Sequence, residues 1–358
     1  MATKIDSASE NSLANYLENS LANNVPDDLL VSETAPLSRL HLAQKHSHST
    51  GVLSKAADNN KQIVVENKSA MLAVEAAVAI VINGIHYAIL MASPYQLEYL
   101  AIGFLYSEGL IQHSHELLDW EVTQLVNIEN HQDFMPASSY QNASTQDAFI
   151  DNISDEPISL HQLSEQLQDY DVYIVELTLN QRCHQRIQAQ RRQLAGRTGC
   201  GMCGITGLTQ ALPDLSDYIK NEPQNKQPLT VSMPSLDDLL SLRAQINATQ
   251  HTHQLTGAVH AAATLHEQQL RLFEDVGRHN ALDKLIGWQL RHKADIDCVL
   301  MTSRLSIELV QKSIRSRIPW LVGMSAPTST AVRVAERYGL GLAGFLRDNR
   351  VTYYTGIN

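Results

Sequence analysis

Two periods of apolar and polar positions alternate along this chain, and the switches between them mark its elements. Ala77–Ile82 and Ile85–Leu90 are strand-like apolar runs joined by Asn83-Gly84, a dipeptide suited to a type I′ turn, so a β-hairpin is predicted. Ser93-Pro94 supplies an N-cap and a first-turn proline for a helix whose apolar face is Leu97, Leu100, Ala101, Phe104 and Leu105, with Gly109 to end it. Val172–Leu179 reads as a strand and Gln181–Leu194 as a helix carrying Arg182, Arg186, Arg191 and Arg192. Leu236–Leu242 is helical behind Ser235 as cap. Further on, the strands Cys298–Met301, Trp320–Met324, Gly341–Leu346 and Val351–Tyr354 alternate with helices over Ser306–Ser316 and Pro327–Tyr338. That alternation predicts an α/β sheet covered by helices.

Three stretches lack either period. Residues 1 to about 60 are rich in Asn, Ser, Ala and His, and structure is expected to begin near Met71. The run His46-Ser47-His48-Ser49 fits a solvated polar tail better than a metal site. Asn127–Leu160 carries acids, amides and hydroxyls but no Lys or Arg, and reads as a surface insertion. Residues 221–228, with Pro223 and Pro228, read as a connector.

A length of 358 residues allows about two domains with real cores. A formal charge of −11 argues against general nucleic-acid binding while leaving local patches open. There is no apolar run of membrane-spanning length and no secretory signal, so the expected compartment is the cytoplasm. Thiols stay reduced there, and a closely spaced cysteine pair is more often catalytic or metal-binding than structural.

Such a pair occurs in Gly196-Arg197-Thr198-Gly199-Cys200-Gly201-Met202-Cys203-Gly204. Its C-x-x-C spacing lets two thiols form a disulfide, share a metal or pass sulfur between them. The glycines make the loop bare and adaptable, and the Arg197 charge favours a thiolate. Cys183 and Cys298 stand alone, so a zinc site would have to borrow ligands such as Cys183-His184. A second dense stretch, Glu274–Lys284, leads into a helix with Leu282, Leu285 and Ile286 on one face. Its Gly277, Arg278, His279 and Asn280 would sit at the helix start, an arrangement suited to anions, against a salt-bridged surface helix as the plainer reading. His260 lies among small residues and by itself reads as a packed histidine. Finally, Arg304, Lys312, Arg315, Arg317, Arg333, Arg337, Arg347 and Arg350 outnumber the acids of residues 304–350, and Arg347-Asp348-Asn349-Arg350 forms a turn between strands where an anion could be met.

Taken together, these stretches resemble the formate dehydrogenase accessory sulfurtransferase family, FdhD. The resemblance runs from about Ala76 to Tyr354 through Ala101–Gly109, Gly199–Gly204, Glu274–Lys284, Ser325–Ser329 and Gly344–Arg350, in family order. It implies a small N-terminal α/β domain followed by a cytidine-deaminase-like α/β domain, an α/β (α+β) chain that is usually a homodimer. The expected boundaries are a disordered tail over 1–65, an N-terminal domain over 66–204 with its insertion at 127–160, and a cofactor-binding domain over 205–358. The resemblance implies a cytoplasmic sulfur carrier, a sulfurtransferase that takes sulfane sulfur from a cysteine desulfurase as a persulfide. It would pass that sulfur to the bis(molybdopterin guanine dinucleotide) molybdenum cofactor before insertion into formate dehydrogenase.

By position, Cys200 would carry the persulfide with Cys203 as partner. Phe345, Leu346, Arg347, Asp348, Asn349 and Arg350 would belong to the cofactor-binding segment. No permanent metal, nucleic acid or membrane is implied. The alternatives are a zinc-stabilised, non-catalytic assembly chaperone for a molybdoenzyme and a general disulfide oxidoreductase. The resemblance departs at Ser303, where the family usually carries glycine; a positive φ there would strain a serine.

Overall fold

The computed structural model describes residues 37–48, 63–125, 170–191, 212–220 and 232–356. The Cys200–Cys203 loop and the 127–160 insertion lie outside these residues, as does most of the polar N-terminal stretch. The first described element corrects the tail reading. Strands β1 (Ser38–His48) and β2 (Ile63–Ala73) pair antiparallel over their whole length, from Ser38 opposite Ala73 to His48 opposite Ile63. Their alternation is diluted by serine, glutamine and histidine on both faces, so it reads as a polar tract until the partner strand is known.

A four-stranded sheet follows, in the order β4 (Ile85–Ala92), β3 (Ala76–Ile82), β6 (Asp171–Leu179), β5 (Leu117–Gln124). The β3–β4 hairpin turns on Asn83 and Gly84 with φ of 48° and 75°, the double positive φ of a type I′ turn. Helix α1 (Leu97–Ser107) begins later than the Ser93-Pro94 signal predicts. Its N-cap is Gln96 at φ 54°, with no side-chain cap, because Ser93 is engaged elsewhere. The chain then runs through α2 (Gln181–Arg191) and the short α3 (Ser216–Lys220).

The remaining chain forms one six-stranded sheet between helices. Helix α4 (Leu236–Thr249) is capped by Ser235, whose Oγ accepts from Asp238 N at 3.1 Å. It is followed by α5 (His251–Thr256), the hairpin β7 (His260–His266) and β8 (Gln269–Asp275), and α6 (Arg278–His292). Strand β9 (Cys298–Met301), α7 (Ile307–Arg315), β10 (Trp320–Gly323), α8 (Ser329–Tyr338), β11 (Gly341–Arg347) and β12 (Arg350–Tyr353) complete it. The sheet order is β12-β11-β10-β9-β7-β8, with β9, β10 and β11 mutually parallel and both edges antiparallel.

Successive strand residues face opposite layers. Val299, Met301, Leu321 and Leu342 pack with α6, α7 and α8, whereas Leu300, Val322 and Ala343 pack with Leu239, Leu242 and Ile246 of α4. The fold is mixed α/β, as the periodicity predicts. The β7–β8 hairpin is another element the pattern misses, because its turn residues Glu267 and Gln268 take φ of 50° and 64° without the usual Gly or Asn.

Candidate functional site

Two polar assemblies grow from the β7–β8 hairpin, one on each side of the pair His260–Asp275 that stand opposite each other in it. The first is a buried seam between α1 and α6. Gly103 lies against the backbone carbonyl of Asp283, and Gly287 against that of Tyr99, so close that a Cβ at either position would overlap the opposing chain. Small residues at the crossing let the two helix backbones touch, and the polar groups around it are thereby enclosed. Asp275 and Lys284 form a fully buried ion pair of 2.7 Å between Oδ2 and Nζ. Asp275 also accepts from Ser93 N at 3.1 Å, Gly277 N at 2.8 Å and Asn280 Nδ2 at 2.9 Å. Lys284 donates further to the carbonyls of Ser93 and Glu274, both at 3.2 Å, and Asn280 to that of Met91 at 2.7 Å. Val276 N donates to Ser93 Oγ at 3.2 Å, which is the task that removes Ser93 from helix capping.

At the other end of the seam Lys312 Nζ donates to both Asp283 oxygens at 2.9 Å, to Ser107 Oγ at 2.7 Å and to Glu108 Oε1 at 3.2 Å. Burial acts to lower the Lys312 pKa, but the Asp283 and Glu108 carboxylates outweigh it and hold the ammonium charged, with its pKa raised. Thus Ser107-Glu108 of the Ala101–Gly109 stretch and Asp275, Asn280, Asp283 and Lys284 of the Glu274–Lys284 stretch meet in one interface. The surface-helix reading of the second stretch gives way here, since α6 is buried from Asn280 to Trp288 without a break.

The second assembly is a cavity of about 480 Å³ at the carboxyl edge of the parallel strands, the side on which open α/β sheets bind ligands. It is lined by His260 at the start of β7, Thr302 after β9, Ser325 after β10, Arg347 at the end of β11, and Gln250 and His253 of the α4–α5 corner. Thr302 is set by Ala261, whose N–H donates to its Oγ1 at 2.9 Å. His253 Nδ1 donates to the Val259 carbonyl at 3.0 Å, while its backbone N–H, with that of Thr252, is capped by the Glu274 carboxylate at 2.9 and 3.2 Å. Among the described residues Gln250 Nε2 has no hydrogen-bond partner, nor have Arg278 Nε and His279 Nε2 at the start of α6, and all three atoms are buried. Burial first, then the positive charges of Arg278, His253 and Arg304, lower the His260 pKa. Burial, Lys312 and Arg278 push His279 down to about 4. The site therefore gathers cationic and donor groups, and His260 is held toward its neutral form.

Of the 345–350 segment, only Arg347 lines the cavity. A bulge between Gly344 and Arg347 puts Phe345 at φ 53° with its ring exposed, its N–H donating to the Ser325 carbonyl at 3.1 Å. Leu346 is core, and Asp348 makes an exposed 2.8 Å pair with Arg243. Asn349 lies in the turn, and Arg350 stands opposite Arg347 in register. Ser303 is buried and is not among the residues with positive φ, so the serine is unstrained where the family usually has glycine. Sequence reasoning missed Gln250, His253 and Thr302, and passed over His260 as a packed histidine; no local signal marks a residue that only a sheet edge brings to a cavity.

The lone cysteines are structural in character. Cys183 is buried, its Sγ donating to the Leu110 carbonyl at 3.2 Å, and burial beside Asp297 pushes the Cys298 thiol up to about 12. Among the described residues no three His, Cys, Asp or Glu side chains converge as a metal site.

Comparison with known proteins agrees with the family resemblance. The model of the FdhD/NarQ family matches residues 73–358. A protein of Shewanella oneidensis named sulfur carrier protein FdhD is 33% identical over 87% of this chain and 93% of its own length. One of Chromobacterium violaceum with the same name is 36% identical over 79% and 88%. A solved structure from Desulfotalea psychrophila, described as a formate dehydrogenase accessory protein, shares the fold with a TM-score of 0.54 at 18% identity, covering 89% of this chain and 97% of that one. On the match to residues 73–358 and on relatives alike over nearly their full length, the chain belongs to the FdhD/NarQ family.

Proposed function

We propose that this protein is a sulfur carrier in formate dehydrogenase maturation, a persulfide sulfurtransferase whose acceptor substrate is the bis(molybdopterin guanine dinucleotide) molybdenum cofactor. The observation that carries the reading is the cavity at the carboxyl edge. Its volume falls in the range of ligand pockets, about 300–1,000 Å³. The His253, His260 and Arg347 lining and the orphaned amide donor of Gln250 suit a phosphate-bearing nucleotide. Gln250 Nε2 and the Thr302 and Ser325 hydroxyls can satisfy a purine edge and ribose, and Arg347 a phosphate. A homodimer and a cytoplasmic location accompany the proposal, with a cysteine desulfurase as donor and formate dehydrogenase as recipient of the finished cofactor.

In this reading the Cys200 thiolate attacks the terminal sulfur of the desulfurase persulfide. The donor cysteine leaves as a thiolate, and Cys200 holds the sulfane sulfur. Two routes onward balance atoms and electrons. Cys203 attacks the inner sulfur and expels the terminal one as hydrosulfide, leaving a Cys200–Cys203 disulfide, or a nucleophilic acceptor supplies the electron pair for a bond to the terminal sulfur, takes it as sulfane sulfur, and Cys200 leaves with the S–S pair as a thiolate. The cavity's part is to bind and orient the nucleotide end of the acceptor while the cysteine loop delivers sulfur.

Mixing the protein with a desulfurase and cysteine is expected to add one sulfur atom to Cys200 by mass spectrometry, and the Cys200→Ala variant is expected to load none. Normal loading of that variant would overturn the assignment. Stoichiometric zinc in the reduced protein, with unfolding on its removal, would favour the assembly chaperone instead.

A further inference from the structure

Most of the cavity's lining comes from one short stretch, residues 247–260, where α4 ends, α5 follows and the chain turns into β7. Little in that stretch holds it in place by itself. Gln250 is at once the C-cap of α4 and the N-cap of α5, where it makes no side-chain cap bond. A helix of six residues is too short to persist on its own hydrogen bonds. The ribbon of β1 and β2 packs on α5, with no hydrogen bond between them among the described residues.

The hold comes from far along the chain. The Glu274 carboxylate accepts from Thr252 N at 3.2 Å and from His253 N at 2.9 Å, one oxygen to each. These are the second and third N–H groups of α5, which a local N-cap ordinarily satisfies. Among the described residues, every other hydrogen bond of 251–259 stays within 247–260. Successive residues of β8 face opposite layers, so Glu274 reaches the α4–α5 corner while Asp275 enters the seam. The backbone of Glu274 is fixed in turn, since its carbonyl accepts from Lys284 Nζ at 3.2 Å.

Glu274 does not itself line the cavity, and both of its oxygens are taken. What it sets is where the wall stands. His253 lines the cavity and ties α5 to the start of β7, its Nδ1 donating to the Val259 carbonyl at 3.0 Å. Gln250, 3% exposed, enters the lining one residue before α5. Both follow α5, and α5 follows the carboxylate.

We infer that Glu274 is a positioning residue for the acceptor nucleotide, its carboxylate holding the α4–α5 corner in the place that gives the cavity its shape. The inference rests on the nucleotide reading of the cavity. Charge and position predict opposite outcomes here. A carboxylate near a cavity lined by Arg347 and His260 repels a phosphate, so on charge alone its removal tightens binding. Removal of a holder weakens it.

Calorimetric titration of the full chain with guanosine diphosphate tests this, beside hydrogen exchange of the ligand-free protein and its unfolding in urea. Glu274→Ala is expected to weaken binding about tenfold and to speed exchange over 251–257. Glu274→Gln keeps an oxygen acceptor for one of the two N–H groups and is expected to fall between that variant and wild type. Ser235→Ala removes the cap at the far end of α4, so it is expected to lower the urea midpoint and leave the affinity unchanged. Unchanged or tighter binding by Glu274→Ala would overturn the inference. An equal loss in Ser235→Ala would do the same, by making the effect one of stability. A wild type without affinity for guanosine diphosphate would strike the nucleotide reading itself. Exchange over 251–257 then decides alone whether Glu274 holds the wall: faster in Glu274→Ala where it does, unaltered where it does not.

Discussion

The α1–α6 seam and the carboxyl-edge cavity are both built of polar side chains, acids, lysines and an amide in the one and amides, imidazoles and an arginine in the other, and they differ in how far those groups are satisfied. In the seam, the Asp275 carboxylate accepts from two side chains and two backbone N–H groups, and Lys284 donates to that carboxylate and two carbonyls. At the cavity, the amide nitrogen of Gln250 is enclosed and has no partner among the described residues. A complete buried network rigidifies; an enclosed donor left without a partner calls for one, a ligand or a water. The two lie on opposite sides of one cross-strand pair, His260 and Asp275, so the seam also fixes the wall of the cavity.

That difference can be broken from either side. The largest effect is expected for Lys284→Met, which leaves the Asp275 carboxylate buried without its counter-charge. Unfolding in urea is expected to show a loss of about 3–5 kcal/mol, and a loss under 1 kcal/mol would mean that the seam is not the closed network described. Gly287→Ala comes next. The new methyl meets the Tyr99 backbone rather than a movable side chain, so α1 and α6 must separate, at a cost of about 2–3 kcal/mol in the same measurement. A neutral result would place slack at the crossing. The smallest effect on folding, and the sharpest test of the contrast, is Arg347→Ala. It is expected to leave the urea midpoint unchanged while weakening guanosine diphosphate binding by about tenfold in calorimetric titration. A stability loss with unaltered affinity would return Arg347 to the scaffold.

Much of the fold was legible because it rests on local chemistry. Asn83-Gly84 dictated its turn, Ser235 its cap, and the apolar runs 298–301 and 320–323 their strands, since each depends on a few neighbouring side chains. The site was less legible. The Glu274–Lys284 stretch was rightly singled out as dense in chemistry, yet most of its members became scaffold: Glu274 caps α5, and Asp275, Asn280, Asp283 and Lys284 serve the seam. Whether a carboxylate binds a ligand or a lysine depends on what the fold sets against it, and Ser93 and Asp275 lie 182 positions apart.

By itself, then, the sequence determined the family, the mixed α/β class, and the cysteine pair that carries the proposed chemistry. Those follow from residue types at fixed short spacings. The tertiary structure alone decided which polar residues are enclosed and satisfied and which line the cavity. It also turned a tract read as a polar tail into an antiparallel ribbon. Burial and partnership are properties of surfaces in contact, and no window along the chain contains both surfaces.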